Sequence, residues 1–281
     1  MKDIAIITDS TAVITNDILN NYTFLYTLPL QIIFKEDVYY DGDITQEEFF
    51  DFVNKYPDLP TTSQPLVGKT TELFESLLKE YDKVFYITIS SKISGTFQTS
   101  SAIAKQIDIE RITVFDSLLT ATVQKRMVLE ACKNVSENKS FEDILTTLKN
   151  MRENHQAYLI VDDLKYLERT GRISGAVASI GAMLKIKPIV RFDNGSIVQD
   201  NKVRTMKKAM HYVLEKIKKL DVKDETHILL THAKGLDYAK KMEQLINDKY
   251  PKLKVSISEL SPVVSVHTGP QSLGVTWVNG Y

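Results

Sequence analysis

Val84-Phe85-Tyr86-Ile87-Thr88-Ile89, then Ser90-Ser91-Lys92-Ile93-Ser94-Gly95, then Thr96 to Ile107, is the stretch on which the fold turns. The first six residues are apolar or β-branched without a break, the pattern of a strand buried on both faces. The next six hold three serines and a glycine, residues that interrupt periodic structure. From Thr96 the apolar positions return at helical spacing, and Ile112-Thr113-Val114-Phe115 repeats the strand pattern. Strand, loop, helix, strand is a βαβ unit, which sets two strands parallel beneath a helix.

Outward from this unit the same alternation continues. Ile4-Ala5-Ile6-Ile7-Thr8, Tyr158-Leu159-Ile160-Val161 and Ile228-Leu229-Leu230-Thr231 read as further buried strands, and Ala121 to Val135 and Phe141 to Asn154 as helices. In the second half, Ile189-Val190-Arg191-Phe192 and Ser196-Ile197-Val198 flank Asp193-Asn194-Gly195. An Asn-Gly pair between apolar runs predicts a hairpin, because both turn residues take positive φ. The expected fold class is therefore α/β in two α/β domains. Residues 1–155 form an N-terminal domain, mainly a parallel sheet with flanking helices. Residues 156–281 form a C-terminal domain with a β-hairpin, and it carries the His267 loop.

Composition narrows the function classes. A length of 281 residues suits two domains, and 43% hydrophobic with 25% charged residues is globular usage. A net charge of −1 provides no electrostatic footprint for nucleic acid. The lysines at Lys207–Lys208, Lys216–Lys219 and Lys240–Lys241 read as solvated helix faces. Cys132 is the only cysteine, so neither a disulfide nor a thiolate metal cluster forms within one chain. It sits in an apolar-periodic run and reads as an inert core thiol. The five histidines lack metal spacing, and no metal is expected. No apolar run approaches the ~18 residues of a membrane span; the longest weakly polar stretch runs from Gly175 to Leu184. MKDIAIITDS enters a strand at once, and the cytoplasm is the expected location.

Five constellations could carry chemistry. Asp9-Ser10-Thr11 follows the first strand, where open α/β sheets collect ligands, although the same residues suit a cap for a helix from about Asn16. Ser90 to Thr96 offers several hydroxyls where a helix cap needs one. Its glycine admits close backbone approach, and its helix start favours an anion. Pro60-Thr61-Thr62-Ser63-Gln64-Pro65 is stiffened at both ends by proline. Val263-Val264-Ser265-Val266 reads as a strand that delivers His267-Thr268-Gly269-Pro270 at its end. Leu167-Glu168-Arg169-Thr170-Gly171-Arg172-Ile173 puts two arginines in a turn, able to clamp an anion or dock a partner. Gly68-Lys69-Thr70 only imitates a P-loop, since Ser63 stands where the first glycine belongs.

Together with Phe115-Asp116-Ser117 and Val203-Arg204-Thr205, these segments resemble the DegV family, the bacterial fatty-acid binding proteins of a fatty acid kinase system. The motifs follow the family order along essentially the whole chain. The resemblance implies a buried tunnel for a long-chain fatty acid and no resident cofactor. It places the carboxylate at Thr62, Ser94 and His267, with Thr61, Gly95 and Thr96 beside them. It implies a non-enzymatic carrier that presents its lipid to a separate fatty acid kinase and then carries acyl phosphate for phospholipid synthesis. Transient peripheral membrane contact would allow exchange. Arg169, Arg172 and Arg204 would dock the partner. Two departures stand out: Leu118-Leu119-Thr120-Ala121 and Gln271 occupy places where relatives often carry glycine. Two other readings compete. A serine hydrolase would use Ser94 or Ser10 with His267, but lacks a Gly-x-Ser-x-Gly elbow. A nucleotide-binding regulator lacks any intact phosphate loop.

Overall fold

A computed structural model describes residues 2–56, 58–174, 186–218 and 226–279. The stretch from Gly175 to Leu184 and Lys219 lie outside the described residues.

The quoted unit forms the centre of a four-stranded sheet. β1 (Lys2–Asp9), β2 (Leu25–Leu28), β6 (Tyr81–Thr88) and β7 (Ile112–Asp116) pair in the order β2-β1-β6-β7. Every pairing is parallel. Alternate residues of each strand face opposite helical layers, as the two-residue strand period requires. Ala5, Ile7, Val84 and Tyr86 pack on α3 (Val67–Leu77) and α4 (Thr96–Ile107). Ile4, Ile6, Phe85 and Ile87 pack on α5 (Ala121–Ser136) and α6 (Phe141–Glu153). Cys132 is in this second layer, and burial pushes its thiol up to about 12.

A small antiparallel sheet, absent from the sequence reading, joins β3 (Gln31–Phe34), β4 (Asp37–Tyr40) and β5 (Thr61–Ser63) in the order β4-β3-β5. The helix α1 (Asn16–Asn21) precedes it, and α2 (Gln46–Lys55) lies within it. α2 starts with a capping box: Glu48 N–H donates to Thr45 Oγ1 at 3.2 Å and Thr45 N–H to Glu48 Oε2 at 2.8 Å.

The seven-stranded sheet runs β13-β12-β14-β8-β10-β11-β9. Its strands are β8 (His155–Ile160), β9 (Ile173–Ser174), β10 (Lys187–Asp193), β11 (Ser196–Val203), β12 (His227–Ala233), β13 (Lys254–Glu259) and β14 (Ser272–Val278). The remaining helices are α7 (Lys165–Arg169), α8 (Met206–Ile217), α9 (Leu236–Lys249) and α10 (Pro262–Thr268). The apolar runs at Tyr158 and Ile228 predict parallel strands, and here the structure differs. β8 is antiparallel to both neighbours, and β12 is parallel only to β13. α8 and α9 cover one face and α5 packs on the other. Burial on two faces, not parallel pairing, produces the unbroken apolar run. The hairpin forms as expected, with Asn194 at φ 47° and Gly195 at φ 85°.

Val263 to Val266 is helix, not strand. Ser261 accepts from Val264 N–H and Pro262 occupies the first turn, a start signal that outweighs the β-branched side chains. His267 therefore stands in the last turn of α10 rather than at a strand end. Asp9 also differs from expectation. It caps the 3-10 turn Ser10–Ala12, while Thr15 takes the N-cap position of α1. Among the described residues, no helix is long and apolar enough to cross a membrane.

Candidate functional site

A cavity of about 350 Å3 opens where the three sheets meet. It lies beyond the carboxyl ends of β1, β6 and β7, the ligand edge of an open α/β sheet. Its apolar wall draws Ile89 and Leu119 from the N-terminal half, and Leu159, Phe192, Leu260 and Val264 from the C-terminal half. The volume is within the range of small-molecule sites, roughly 300–1,000 Å3.

Polar groups gather on one side of this wall. Thr62 and Ser63 of β5 line the cavity, while Thr61 is exposed and stays outside it. Thr62 Oγ1 and His267 Nε2 lie 2.9 Å apart. Burial, and then the charges of Arg172 and Arg169, push the His267 imidazole down to about 3. It is neutral at physiological pH, and its buried Nδ1 has no partner among the described residues. With the proton on Nε2, His267 donates to Thr62, and the Thr62 hydroxyl hydrogen is free for an incoming oxygen.

Ser94 and Gly95 form the facing edge. Ser94 Oγ lies 2.9 Å from Thr96 Oγ1 and accepts from Thr96 N–H at 3.3 Å. Thr96 itself is buried at the start of α4 and does not reach the cavity. The Gln64 amide fills the space beside Gly95: a Cβ there would stand 2.4 Å from Gln64 Oε1 and would displace it. Gln64, which the sequence reading quoted without assigning a role, also donates to Thr99 Oγ1 at 2.6 Å. It locks the end of β5 to α4, so Thr62 and Ser94 sit on one braced frame.

Two carboxylates brace the frame from behind. Asp9 accepts from the Thr11 hydroxyl and from Ile89 N–H at 2.6 Å, tying β1 to the root of the serine loop. Burial raises its carboxyl. Thr11 lines the cavity, and its hydroxyl oxygen also lies 2.9 Å from Gln124 Oε1. Asp41 accepts from Val263 N–H in the first turn of α10 at 3.1 Å. Burial pushes Asp41 up to about 6 against the hydrogen bonds that oppose it. Neither its role nor that of Gln46, which donates to His232 O and Leu260 O, has a local sequence signal.

The three arginines part company. Arg169 at the end of α7 and Arg204 before α8 are exposed and do not line the cavity. Arg172 is partly buried in the cavity wall, with Nε toward Ile93 O at 3.4 Å. Leu118 and Ala121 both hold positive φ, 56° and 55°, and Leu119 to Ala121 line the cavity. Thr120 Oγ1 is buried there without a partner among the described residues. Gln271 has φ 61° and donates its amide to Lys234 O at 2.6 Å.

Among the described residues a hydrolase triad is not assembled: Ser94 engages Thr96 rather than His267, no carboxylate meets His267 Nδ1, and Ser10 Oγ accepts from Leu30 N–H. The arrangement offers hydroxyl and imidazole donors, with the Arg172 guanidinium in the same wall, to one small anion in a partly apolar chamber.

Comparison with known proteins agrees. The sequence profile of the DegV family, whose description reads "uncharacterised protein", matches residues 3–280. Protein DegV of Bacillus subtilis is 36% identical over 278 residues, covering 98% of this chain and 99% of that protein. Among solved structures, a fatty-acid-binding DegV family protein from Thermus thermophilus superposes with a TM-score of 0.92 at 28% identity, over 99% of both chains. DegV of Bacillus subtilis, described as a fatty acid binding protein, gives 0.86 at 37% identity, over 99% of this chain and all of that one.

Proposed function

The chain belongs to the DegV family, and from that premise we propose that it binds a long-chain fatty acid and carries it without chemistry of its own. The carboxylate meets Thr62, Ser94 and His267 beside Gly95, and the acyl chain fills the apolar chamber. The observation that carries this reading is the Thr62–His267 pair, with a neutral imidazole, in the wall of a cavity that Ile89, Leu119, Leu159, Phe192, Leu260 and Val264 also line.

Energetics favour such a ligand. Burying roughly fifteen methylenes gains on the order of 12 kcal/mol before association costs. An unpartnered carboxylate would forfeit several of those. Hydroxyl donors prevent that loss, and they can turn to serve a changed head group. On this reading a separate fatty acid kinase phosphorylates the presented carboxylate, and the chain then carries acyl phosphate toward phospholipid synthesis. Lipid exchanges during transient contact with a membrane surface, and Arg169, Arg172 and Arg204 dock the kinase. We further assign the division into residues 1–155 and 156–281, with the chamber between the two parts.

Native mass spectrometry of the purified full chain should show a fatty acid bound one to one. Delipidated chain that fails to take up palmitate or oleate would sink the proposal.

A further inference from the structure

The turn of the β10–β11 hairpin points inward. Turns ordinarily run over the surface, yet Gly195 is buried against the root of the serine loop that follows β6. A Cβ on Gly195 would stand 2.7 Å from Ser90 Oγ, 2.9 Å from Leu118 Cδ2 and 3.1 Å from Lys92 Cγ. Glycine meets two needs at once here, the φ of 85° and this close approach.

One hydrogen bond joins the two elements across 105 positions of sequence: Ser90 Oγ donates to Gly195 O at 2.8 Å. Ser90 is fully buried, and it is the hub of its loop. Its Oγ also accepts from Lys92 N–H at 3.2 Å. Its N–H donates to Leu119 O at 2.8 Å, and its carbonyl accepts from Ile93 N–H at 3.2 Å and Ser94 N–H at 3.1 Å. The last of these bonds ties Ser94, a proposed carboxylate contact, directly to Ser90. The hairpin also reaches the lipid space. Phe192 and Ile197, paired across β10 and β11, flank the turn and line the chamber. One element therefore builds part of the acyl wall and holds the root of the head-group loop.

We propose that Ser90 and Gly195 are positioning residues for the carboxylate: the hairpin tip holds the serine loop in the shape that presents Ser94. Neither residue lines the chamber, so both act through Ser94 and not on the ligand. The inference rests on the carrier reading above and gives the C-terminal hairpin a part in head-group binding. A buried hydroxyl seeks a new acceptor when its own is lost. Without Gly195 O, Ser90 has no fixed orientation, and the turn that carries Ser94 relaxes away from Thr62 and His267. The acyl wall stays as it is.

The delipidated full chain is titrated calorimetrically with palmitate and with hexadecanol, which shares the acyl chain but makes no charge-assisted hydrogen bond. The ratio of the two affinities reports head-group placement, whereas a general structural defect lowers both and leaves the ratio alone. Ser90→Ala should lower palmitate affinity at least fivefold and hexadecanol affinity less than twofold. Ser90→Thr, which keeps the hydroxyl, should regain most of the ratio. Gly195→Ala, whose Cβ displaces Ser90 Oγ, should lower the ratio as Ser90→Ala does, and the double variant should be no worse than Gly195→Ala alone. A wild-type ratio in both Ser90→Ala and Gly195→Ala would overturn the proposal. Wild type that binds neither lipid defeats the carrier reading instead. Amide hydrogen exchange at Ile93 and Ser94 of the unloaded chain then decides: exchange at least tenfold faster in Ser90→Ala upholds the grip of the hairpin on the loop, and unchanged protection removes it.

Discussion

Thr62 on β5 and His267 on α10 meet at 2.9 Å across 205 positions of sequence. Neither element is long enough to hold its side chain unaided, since β5 has three residues and α10 seven. Neighbours supply the rigidity: Gln64 pins β5 to α4, and Asp41 pins the first turn of α10. A hydrogen bond to a charged group is worth about 1.5–3 kcal/mol. Thr62→Val, which keeps the shape and removes the hydroxyl, should therefore weaken palmitate binding about tenfold or more, and Thr62→Ser should restore most of it. Near-UV circular dichroism should stay unchanged in both. Wild-type affinity in Thr62→Val would place the carboxylate elsewhere.

Gly95 gives an independent handle on the same frame. Its missing Cβ is the space that Gln64 Oε1 fills. Gly95→Ala should displace the Gln64 amide and lower palmitate affinity severalfold, with little change in melting temperature because the position is exposed. Gln64→Ala in the same background should recover part of the lost affinity. Additive losses in the double variant would show that the two residues are not in contact.

Asp41 makes stability depend on pH in one direction. Its carboxyl is pushed from 3.8 to about 6 by burial. Below pH 3.8 both folded and unfolded chains hold the proton, and the site costs nothing. As pH rises, the unfolded chain ionises first, and above 6 the folded chain must bury a charge. Stability is therefore lost with rising pH, by about 3 kcal/mol once both states are ionised. Asp41→Asn should raise the melting temperature at pH 8 much more than at pH 4.5. An equal shift at both values would remove Asp41 from the pH profile.

His267 works in the opposite direction. The folded imidazole titrates at about 3 against 6.5 in its ordinary state. Above 6.5 neither state is protonated. As pH falls, the unfolded chain takes up a proton that the folded chain refuses, so stability is lost on acidification. At pH 5 the loss is about 2 kcal/mol. Delipidated His267→Gln, compared with wild type, should gain relative stability as pH drops from 7.5 to 5. A difference that stays flat over that range contradicts a neutral buried imidazole.

The sequence announces the parallel sheet because each of its strands is covered on both faces, and Val84 to Ile89 records that burial locally. It hides the β3–β5 sheet, because a strand as short as Thr61–Ser63 is stabilised by its pairing with Gln31 to Ile33, not by its own pattern. It misleads at Val263 to Val266, where β-branched residues signal strand while Ser261-Pro262 starts a helix. The hydroxyls of Thr62 and Ser94 stand in recognisable motifs, and so does His267. Asp41 and Gln46 do not, since what they hold lies 222 and 186 or more positions away. Arg172 reads from sequence as one of a turn pair, and only the packing of that turn against Ile93 sets it apart from Arg169.

Gln271 tests how the loop after His267 tolerates a side chain on left-handed backbone. At φ 61° an L side chain is strained by about 1–2 kcal/mol, and the bond from its amide to Lys234 O offsets part of that strain. Gln271→Ala keeps the strain and loses the bond, so it should destabilise the chain by about 1 kcal/mol. Gln271→Gly loses the bond but also the strain, while its unfolded state gains freedom. The three terms nearly cancel, and the variant should fall within about 0.5 kcal/mol of wild type in urea unfolding. The ranking is the decisive readout: an alanine variant as stable as the glycine variant would mean that the left-handed backbone at 271 carries no strain. Palmitate affinity should hold in both variants, because Asp41, not this loop, fixes the helix that bears His267.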